Sequence, residues 1–295
     1  EAFLKGGVSA STGMRVYSLA EARGAAERIG YPVVVKRVDS SGSRGITVVE
    51  QPEKLDEAYY YASERTTKDY VLVEGFIRGT EIGVDGFVQD GQLVFLAPHT
   101  KFVYRGKNTT IPVGHAFPYH CTQEVYDEIG RQMQAAVSAA GADQCSVNAD
   151  VFVDGNKVSI IEMGGRTGAT CIPELISIYY GFDFYEKMLR SALGEPVEFN
   201  CTGSQPCMAK LLLSPVEGKI TSIDKEGIRT LEEQGVTVSL DFPVGHKVFA
   251  MADGTDRIGH IIACTEEESQ LDAWMMQVYR CICVDGETLE DIWKR

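Results

Sequence analysis

Several signatures of common protein classes are missing from this sequence of 295 residues. No apolar run approaches the roughly 18 residues of a membrane-spanning helix, and no signal peptide opens the chain. The eight cysteines show neither a C-x-x-C pair nor a Cys/His spacing typical of zinc sites. Cys281 and Cys283, two apart in a predicted strand, would point to opposite faces, which is poor geometry for a disulfide. These absences predict a reduced, cytoplasmic protein without a membrane partner.

Positive charge is also scarce. The chain has 28 Lys and Arg against 42 Asp and Glu, which gives a formal charge of −14. Such an acidic chain is a poor match for nucleic acid or an anionic membrane. The hydrophobic content of 44% is that of a globular protein, and the length allows two or three subdomains. We therefore expect neither nucleic acid nor a membrane as a main partner, and a homodimer is left open.

The usual nucleotide-binding motifs, Walker A and G-x-G-x-x-G, are absent too. A different loop, Asp39 to Gly45, follows a predicted strand that ends at Lys36. Small residues and backbone N–H groups in such a loop can wrap phosphate oxygens, and Arg44 and Lys36 add positive charge. A plain hairpin connection is the alternative for this loop taken alone.

The stretch from Val147 to Thr170 carries the clearest chemical signal. Its turn signal, D-G-N, lies between two apolar runs and predicts a β-hairpin. With the loop centred on Asn156, Asp150 lies across from Glu162, and strand alternation puts Asn148 on the same face. The other face, half-buried, is predicted to hold Ala149, Val151 and Val153 against Ser159, Ile161 and Met163.

Two carboxylates that face each other repel as a bare pair. A divalent cation between them removes that objection, and all-oxygen ligands suit Mg²⁺ bound to a nucleotide's phosphates. The alternative is an ordinary hairpin with solvated acids, in which a one-residue change of register would separate Asp150 from Glu162.

Capping signals predict the helices. Ser18 and Glu21 form a capping box and Gly30 supplies the stop, so a helix is predicted from Leu19 to Ile29. Three more helices are predicted similarly, from Thr122 to about Ala140, from Asp183 with Glu186 to Leu193, and from Thr265 with Glu268 to about Arg280.

The segment from Pro98 to Pro118 is predicted to be rich in loops. A cationic loop in so acidic a protein is a plausible place for an anionic substrate, and a solvated loop is the alternative. Its basic residues are Lys101, Arg105, Lys107 and His115.

Five motifs in this order resemble the ATP-grasp superfamily: Y-P-V-V-V-K-R, S-S-G-S-R-G, V-L-V-E-G-F-I-R-G-T-E, N-A-D and E-M-G-G-R-T-G. The chain is most similar to the branch with L-amino acid ligases and carbamoyl-phosphate-synthase-like carboxylate–amine ligases, over essentially its whole length. The resemblance implies an α+β (α/β) fold of two ATP-grasp subdomains, 1–74 and 75–200, with a small C-terminal α+β module, 201–295. The family's N-terminal domain has no counterpart here. Since the chain lacks an initiator Met and opens in a predicted helix, we expect a preceding segment.

The resemblance also implies an ATP site. Lys36 would contact the α-phosphate and adenine side, and Glu81 would take the ribose hydroxyls. The mobile loop over the triphosphate would consist of Ser41, Gly42, Ser43, Arg44 and Gly45. The hinge whose backbone meets the adenine edge would consist of Glu74, Gly75, Phe76 and Ile77.

For the metal and the chemistry, the resemblance implies that Asp150 and Glu162 bind Mg²⁺ or Mn²⁺. Gly164 stands where the family motif E-x-N-P-R supplies an asparagine ligand, and Asn148, opposite Gly164 on the same face, is a candidate replacement. Asp150 also reaches one methylene less far than the usual glutamate. The catalytic residues would be Arg166, which steadies the acyl phosphate, Lys101 near the phosphates, and His115 in a G-H-x-x-P segment beside the substrate.

The implied reaction is ADP-forming. A carboxylate, expected to be that of an amino acid, attacks the γ-phosphate of MgATP to give an acyl phosphate, and an amine then displaces phosphate to form an amide. Carbamoyl-phosphate-synthase-like or carboxylase-like activation of bicarbonate, a nucleotide-binding module without turnover, and a structural subunit remain as alternatives.

Overall fold

The chain's structure, a computed structural model, describes residues 1–39, 45–105 and 110–295. Its strands are β1 (Gly13–Val16), β2 (Val33–Lys36), β3 (Ile46–Val49), β4 (Val71–Gly75), β5 (Thr80–Gln89), β6 (Gln92–Arg105), β7 (Thr110–Phe117), β8 (Cys145–Asp154), β9 (Lys157–Gly164), β10 (Cys207–Leu212), β11 (Gly218–Ile223), β12 (Val236–Leu240), β13 (Lys247–Val248), β14 (Gly259–Ala263), β15 (Ile282–Val284) and β16 (Glu287–Thr288). Its helices are α1 (Ala2–Lys5), α2 (Leu19–Ile29), α3 (Leu55–Ser63), α4 (Gln123–Ala140), α5 (Ile172–Tyr180), α6 (Phe184–Ala192), α7 (Lys225–Glu232), α8 (Glu268–Arg280) and α9 (Leu289–Trp293).

Within these ranges the strands form three sheets. A four-stranded sheet near the N-terminus has the order β1-β4-β2-β3, and a small C-terminal sheet has the order β13-β11-β15-β16. The central eight-stranded sheet has the order β12-β14-β10-β7-β6-β5-β8-β9. Three of its strands come from beyond residue 200, so the C-terminal part of the chain extends the sheet that carries the predicted hairpin. The division into three regions stays a prediction.

The structure contains the side-chain caps that the sequence predicts at the starts of α2 and α4. The Ser18 hydroxyl accepts the N–H of Glu21 at 3.2 Å at the start of α2, and Gly30 ends that helix with φ +87. Thr122 caps α4 in the same way, and Gly141 ends it in the left-handed conformation. Both predictions are confirmed. Such caps form because the side chain accepts an N–H group that has no partner within the first turn of the helix.

Two local predictions are wrong. The described part of the segment from Pro98 to Pro118 lies almost entirely in the long strands β6 and β7 and not in loops. The register of these strands shifts between Phe102 and Val103, next to Pro112, so the missing N–H of this proline falls at an irregularity in the ladder. Lys107 lies outside the described residues.

The capping box predicted at Thr265 and Glu268 is also wrong. Helix α8 starts at Glu268 without a side-chain cap, and the Thr265 hydroxyl accepts the N–H of Glu267 at 3.0 Å instead. Helix α5 and strand β11 were not predicted. Helix α5 follows Cys171 in the left-handed region and has no capping side chain at its start, so it lacks the signal on which the other helix predictions rested.

The two faces of the central sheet are covered differently. Helix α4 packs on one face, where Val84 and Val147 meet Ile129 in a buried cluster. Helices α5 and α6 cover part of the other face, where Phe87 and Phe184 are fully buried. Farther toward the start of β5, this second face carries polar side chains. In the part of the chain that is described, no helix is long and apolar enough to cross a membrane.

Candidate functional site

The hairpin of β8 and β9 brings the two predicted metal-binding acids opposite each other. Asp150 pairs with Glu162 and Asn148 with Gly164, as predicted. Near the turn, however, Asp154 pairs with Lys157, which is a register one residue shorter than the predicted one. The register shifts between Asp150 and Val151, where β9 has one extra residue. Without this bulge, Glu162 would lie on the opposite face from Asp150.

The bulge also corrects the predicted composition of the buried face. Val158 and Ile160 face the core of the sheet and are 1% and 0% exposed. The predicted Ser159 instead pairs with Phe152, and Ile161, the extra residue, is only partly buried. Both were placed on the wrong face because the sequence alone did not reveal the bulge.

Lys101 links the two acids of the predicted ATP site. Its ammonium nitrogen lies 2.8 Å from the Oδ1 of Asp150 and 2.6 Å from the Oε1 of Glu81, and its side chain is 7% exposed. Burial alone would lower the pKa of Lys101, but the charges of Asp150 and Glu81 outweigh it and raise the pKa above its ordinary value. Lys101 therefore keeps a positive charge between these two carboxylates.

A cleft of about 550 Å³ opens over this face of the sheet. Six predicted site residues line it: Lys101, His115, Asn148, Asp150, Glu162 and Arg166. Its other wall comes from the C-terminal part of the chain and includes Asp241, Phe242 and Arg257. The Nε of Arg257 donates to the Oδ2 of Asp241 at 2.7 Å. This wall was not predicted, because it forms only when β12 and β14 join the central sheet.

His115 is held uncharged at the bottom of this cleft. It is 7% exposed and its ring lies 4.7 Å from that of His99. Burial lowers the pKa of His115 well below its usual value, and the nearby His99 and Lys101 lower it further. The Nδ1 atoms of both histidines are buried and without a hydrogen-bond partner among the described residues.

The predicted adenine-side residues lie away from this cleft. Lys36 forms an ion pair with Glu74 at 2.6 Å, and Glu74 lines a separate cavity of about 280 Å³ next to residues 1–4. The N–H groups of Gly75 and Phe76 already donate to Thr12 and Pro32, at 3.0 and 3.2 Å.

The structure also describes Gly45, the last residue of the predicted phosphate loop, and Glu81, the predicted ribose-binding acid. The carbonyl of Gly45 accepts the N–H of Arg37 at 3.2 Å. Glu81 accepts a hydrogen bond from Lys101, which lines the cleft. Ser41, Gly42, Ser43 and Arg44 lie outside the described residues. The roles given to these residues, to Ile77 and to the rest of the site stay predictions.

The donor set fits a hard divalent cation. Asp150 is partly exposed and Glu162 is exposed, so their oxygens can take a ligand. The amide nitrogen of Asn148 donates to Asp85 at 2.8 Å, which leaves the carbonyl oxygen of Asn148 as its remaining acceptor. Within the described ranges no three His, Cys, Asp or Glu side chains cluster as a metal site. The protein would therefore supply few ligands, as is usual where substrate phosphates and water complete the shell of Mg²⁺.

Three further residues on this face were not predicted as part of the site. Gly83, Asp85 and His99 share the face with Asp150 through the register of β5 with β6 and β8. A Cβ on Gly83 would lie 2.0 Å from the His99 ring, so this ring can rest there only over a glycine. The available signal was the period-two spacing from Glu81 along β5, which places residues 83 and 85 on the same face.

The fold is shared with solved enzymes. An L-amino acid ligase from Bacillus licheniformis superposes with a TM-score of 0.77 at 18% identity, over 97% of this chain and 70% of the ligase. A likeness at this identity concerns the fold alone. It is the ATP-grasp fold, in the α+β class, as the sequence predicted.

The family follows from the sequence match. Residues 29–174 match the family model described as ATP-grasp domain. With the shared fold, this match shows that the chain belongs to the ATP-grasp superfamily.

Curated relatives differ in specificity. A D-alanine–D-alanine ligase from Trichlorobacter lovleyi is 30% identical over 165 residues, which are 52% of this chain and 50% of the ligase. A formate-dependent phosphoribosylglycinamide formyltransferase from a Synechococcus species is 30% identical over 234 residues, 75% of this chain and 55% of the relative. The chain thus spans about half the length of these relatives.

Proposed function

We propose that this chain is the ATP-grasp part of an ADP-forming carboxylate–amine ligase that uses MgATP. The observation that carries the proposal is the pair Asp150 and Glu162, which face each other at the wall of an open cleft. The names of the two relatives support it, because D-alanine and formate both bring a carboxyl group to the reaction. We expect the activated carboxylate here to belong to an amino acid.

The site residues have separable tasks in this proposal. Asp150 and Glu162, with Asn148, would hold the cation. Bound MgATP supplies the phosphoryl group that activates the carboxylate. Lys101 keeps its positive charge beside Asp150 and can face phosphate oxygens as well. In such a site most of the catalysis is positioning and charge neutralisation, for which no covalent nucleophile is needed.

Two residues would act on the reacting carboxyl. Arg166 donates one N–H to the carbonyl of Thr167 at 2.7 Å, which leaves other guanidinium N–H groups for an anion in the cleft. His115 is neutral because its pKa is depressed, so one of its ring nitrogens can accept a hydrogen bond. Its role beside the substrate rests on the G-H-x-x-P resemblance.

The setting of the enzyme follows the same reasoning. All eight cysteines lie within the described residues and are free thiols, which supports a cytoplasmic, reducing environment. Small-molecule carboxylates and amines would be its partners, and a homodimer stays a prediction.

The test is an ADP-release screen of the protein with MgATP and the proteinogenic amino acids in pairs, each with and without bicarbonate. ADP release that requires both amino acids supports the proposal. ADP release that requires bicarbonate and not an amino acid carboxylate would replace it with carboxyphosphate chemistry. MgATP binding without ADP release in any mixture would leave a nucleotide-binding module.

A further inference from the structure

Asp85 is a fully buried carboxyl group directly beneath the candidate site. It lies in the middle of β5, pairs with Asn148 on β8, and has 0% of its surface exposed. A buried carboxylate is costly unless its oxygens are satisfied by donors. The burial of Asp85 therefore lowers the stability of the fold unless its oxygens accept hydrogen bonds from the protein.

Three donors and a histidine ring nitrogen converge on this carboxyl group. Its Oδ1 accepts the N–H of Gly168 at 2.7 Å and the hydroxyl of Thr167 at 3.3 Å. Its Oδ2 accepts the amide of Asn148 at 2.8 Å and lies 3.1 Å from the Nε2 of His99. The two oxygens of one carboxyl group thus contact the turn after β9 on one side and the sheet on the other.

Two of these donors belong to the segment that carries Arg166. This segment, residues 165–171, leaves β9 and leads into α5. A Cβ on Gly168 would lie 3.0 Å from Asp85 and 2.9 Å from the Asn148 amide, so the backbone can approach the carboxyl group this closely only at a glycine. The segment then continues through Thr170 and Cys171 at φ +59 and +64, conformations that are unfavourable for residues with a side chain. A strained segment of this kind needs an anchor.

The other two contacting groups, those of Asn148 and His99, lie in the sheet. Asn148 is the proposed replacement for the missing metal ligand, and its hydrogen bond to Asp85 fixes which end of its amide faces the cleft. His99 closes the remaining side of the carboxyl group and lies over Gly83. Asp85 thus touches both halves of the site, the metal side and the arginine side, without lining the cleft.

We propose that Asp85 is a positioning residue that sets the place of Arg166 and the orientation of Asn148 in the cleft. The roles of Arg166 and Asn148 come from the proposed function, so the inference rests on it in that respect. If Asp85 only stabilised the core, the effect of its substitution on ADP release would not depend on whether Arg166 is present.

The first experiment needs no substrate. Amide hydrogen exchange of residues 165–171 is compared in the wild type, Asp85→Asn and Gly168→Ala, with Asp224→Asn as the matched control. Asp224 also accepts two backbone N–H groups, of Glu226 and Gly227, but at the start of α7. We expect exchange in the segment to become at least about tenfold faster in the two site variants, since a local anchor is lost, and to stay unchanged in the control. Unchanged exchange in both folded site variants would overturn the proposal.

The second experiment separates positioning from stability. ADP release is measured for Asp85→Asn in the wild type and in an Arg166→Ala background, with Gly168→Ala as the alternative if Asp85→Asn does not fold. We expect kcat to fall on the order of tenfold in the wild-type background, as for a misplaced catalytic group, with no further fall once Arg166 is absent. An equal loss in both backgrounds would overturn it.

The two failures can be told apart. If the wild type releases no ADP in any mixture, the proposed function fails, while the exchange experiment still tests whether Asp85 holds the segment.

Discussion

The cleft and the sheet beneath it hold the same chemical group, a carboxyl, in two opposite settings. The side chain of Asp150 is 31% exposed and meets Lys101, and Glu162 is more exposed still. Asp85, one strand away, has no exposure and contacts three donors and a histidine ring nitrogen of the protein. A carboxylate with free acceptor positions is available to a cation, whereas a saturated carboxylate is available only to its own chain. From this difference we propose that acids of the first kind bind the cation and that Asp85 positions its neighbours.

The largest effect is expected at the open acids. Glu162→Gln removes a charge from the cation site, so ADP release with MgATP should fall on the order of 100-fold, equivalent to about 2.7 kcal/mol. Thermal stability should not fall, because an exposed repulsive pair is relieved. Asp154→Asn, at the turn of the same hairpin, is the control and should keep wild-type activity. A Glu162→Gln protein as active as this control would show that the pair binds no cation that matters.

The second effect is expected at the buried acid. Asp85→Ala leaves the N–H of Gly168 and its neighbours buried without an acceptor and should lower the free energy of unfolding by about 3 kcal/mol. Asp224→Ala, which removes an exposed helix cap, should cost only about 1 kcal/mol. Urea unfolding of both variants measures the difference. Equal losses in the two would mean that burial of Asp85 has no special weight.

Lys101 joins the two settings, because it is buried but neutralises open acids. Lys101→Met leaves Glu81 and Asp150 without a counter-charge and should lower the free energy of unfolding by about 2 kcal/mol. Added Mg²⁺ should raise the melting temperature of this variant more than that of the wild type, since the cation can replace the ammonium. A melting temperature that does not respond to Mg²⁺ in the variant would contradict this interpretation.

The smallest effect is expected from pH. Because the pKa of His115 is depressed in the folded chain, the unfolded chain takes up a proton as the pH falls below about 6.5 and the folded chain does not. The stability that His115 contributes is therefore present above pH 6.5 and is lost as the pH falls, by at most about 1.4 kcal/mol per unit. His115→Gln should show a shallower decrease of melting temperature between pH 7 and 5.5. Parallel pH curves for the two proteins would contradict it.

Local signals predicted the part of the fold that depends on neighbours in sequence. The helix caps at Ser18 and Thr122 each use a donor three residues on, so the sequence window contains the whole interaction. The pairing of Asp150 with Glu162 in the hairpin of β8 and β9 was predicted correctly, although the predicted register near the turn was wrong by one residue. The bulge between Asp150 and Val151 brings Glu162 opposite Asp150 again. No sequence pattern predicted a bulge at this position.

The positioning network could not be predicted in this way. The partners of Asp85 are 14, 63, 82 and 83 residues away along the chain. They meet only when β5, β6 and β8 pair and the segment after β9 returns over the sheet. The cleft wall with Asp241 and Arg257 likewise depends on strands from beyond residue 200 joining the central sheet. A single sequence shows these residues but does not show that they contact one another.

The most direct test of the cation site is calorimetric titration of a non-hydrolysable ATP analogue into the wild type, Glu162→Gln and Asp154→Asn, each with and without Mg²⁺. We predict that Mg²⁺ strengthens binding to the wild type and to Asp154→Asn on the order of tenfold or more, as expected for a metal-bridged phosphate, and has little effect on Glu162→Gln. If Mg²⁺ strengthens binding to Glu162→Gln as much as to the wild type, the two facing carboxylates do not hold the cation.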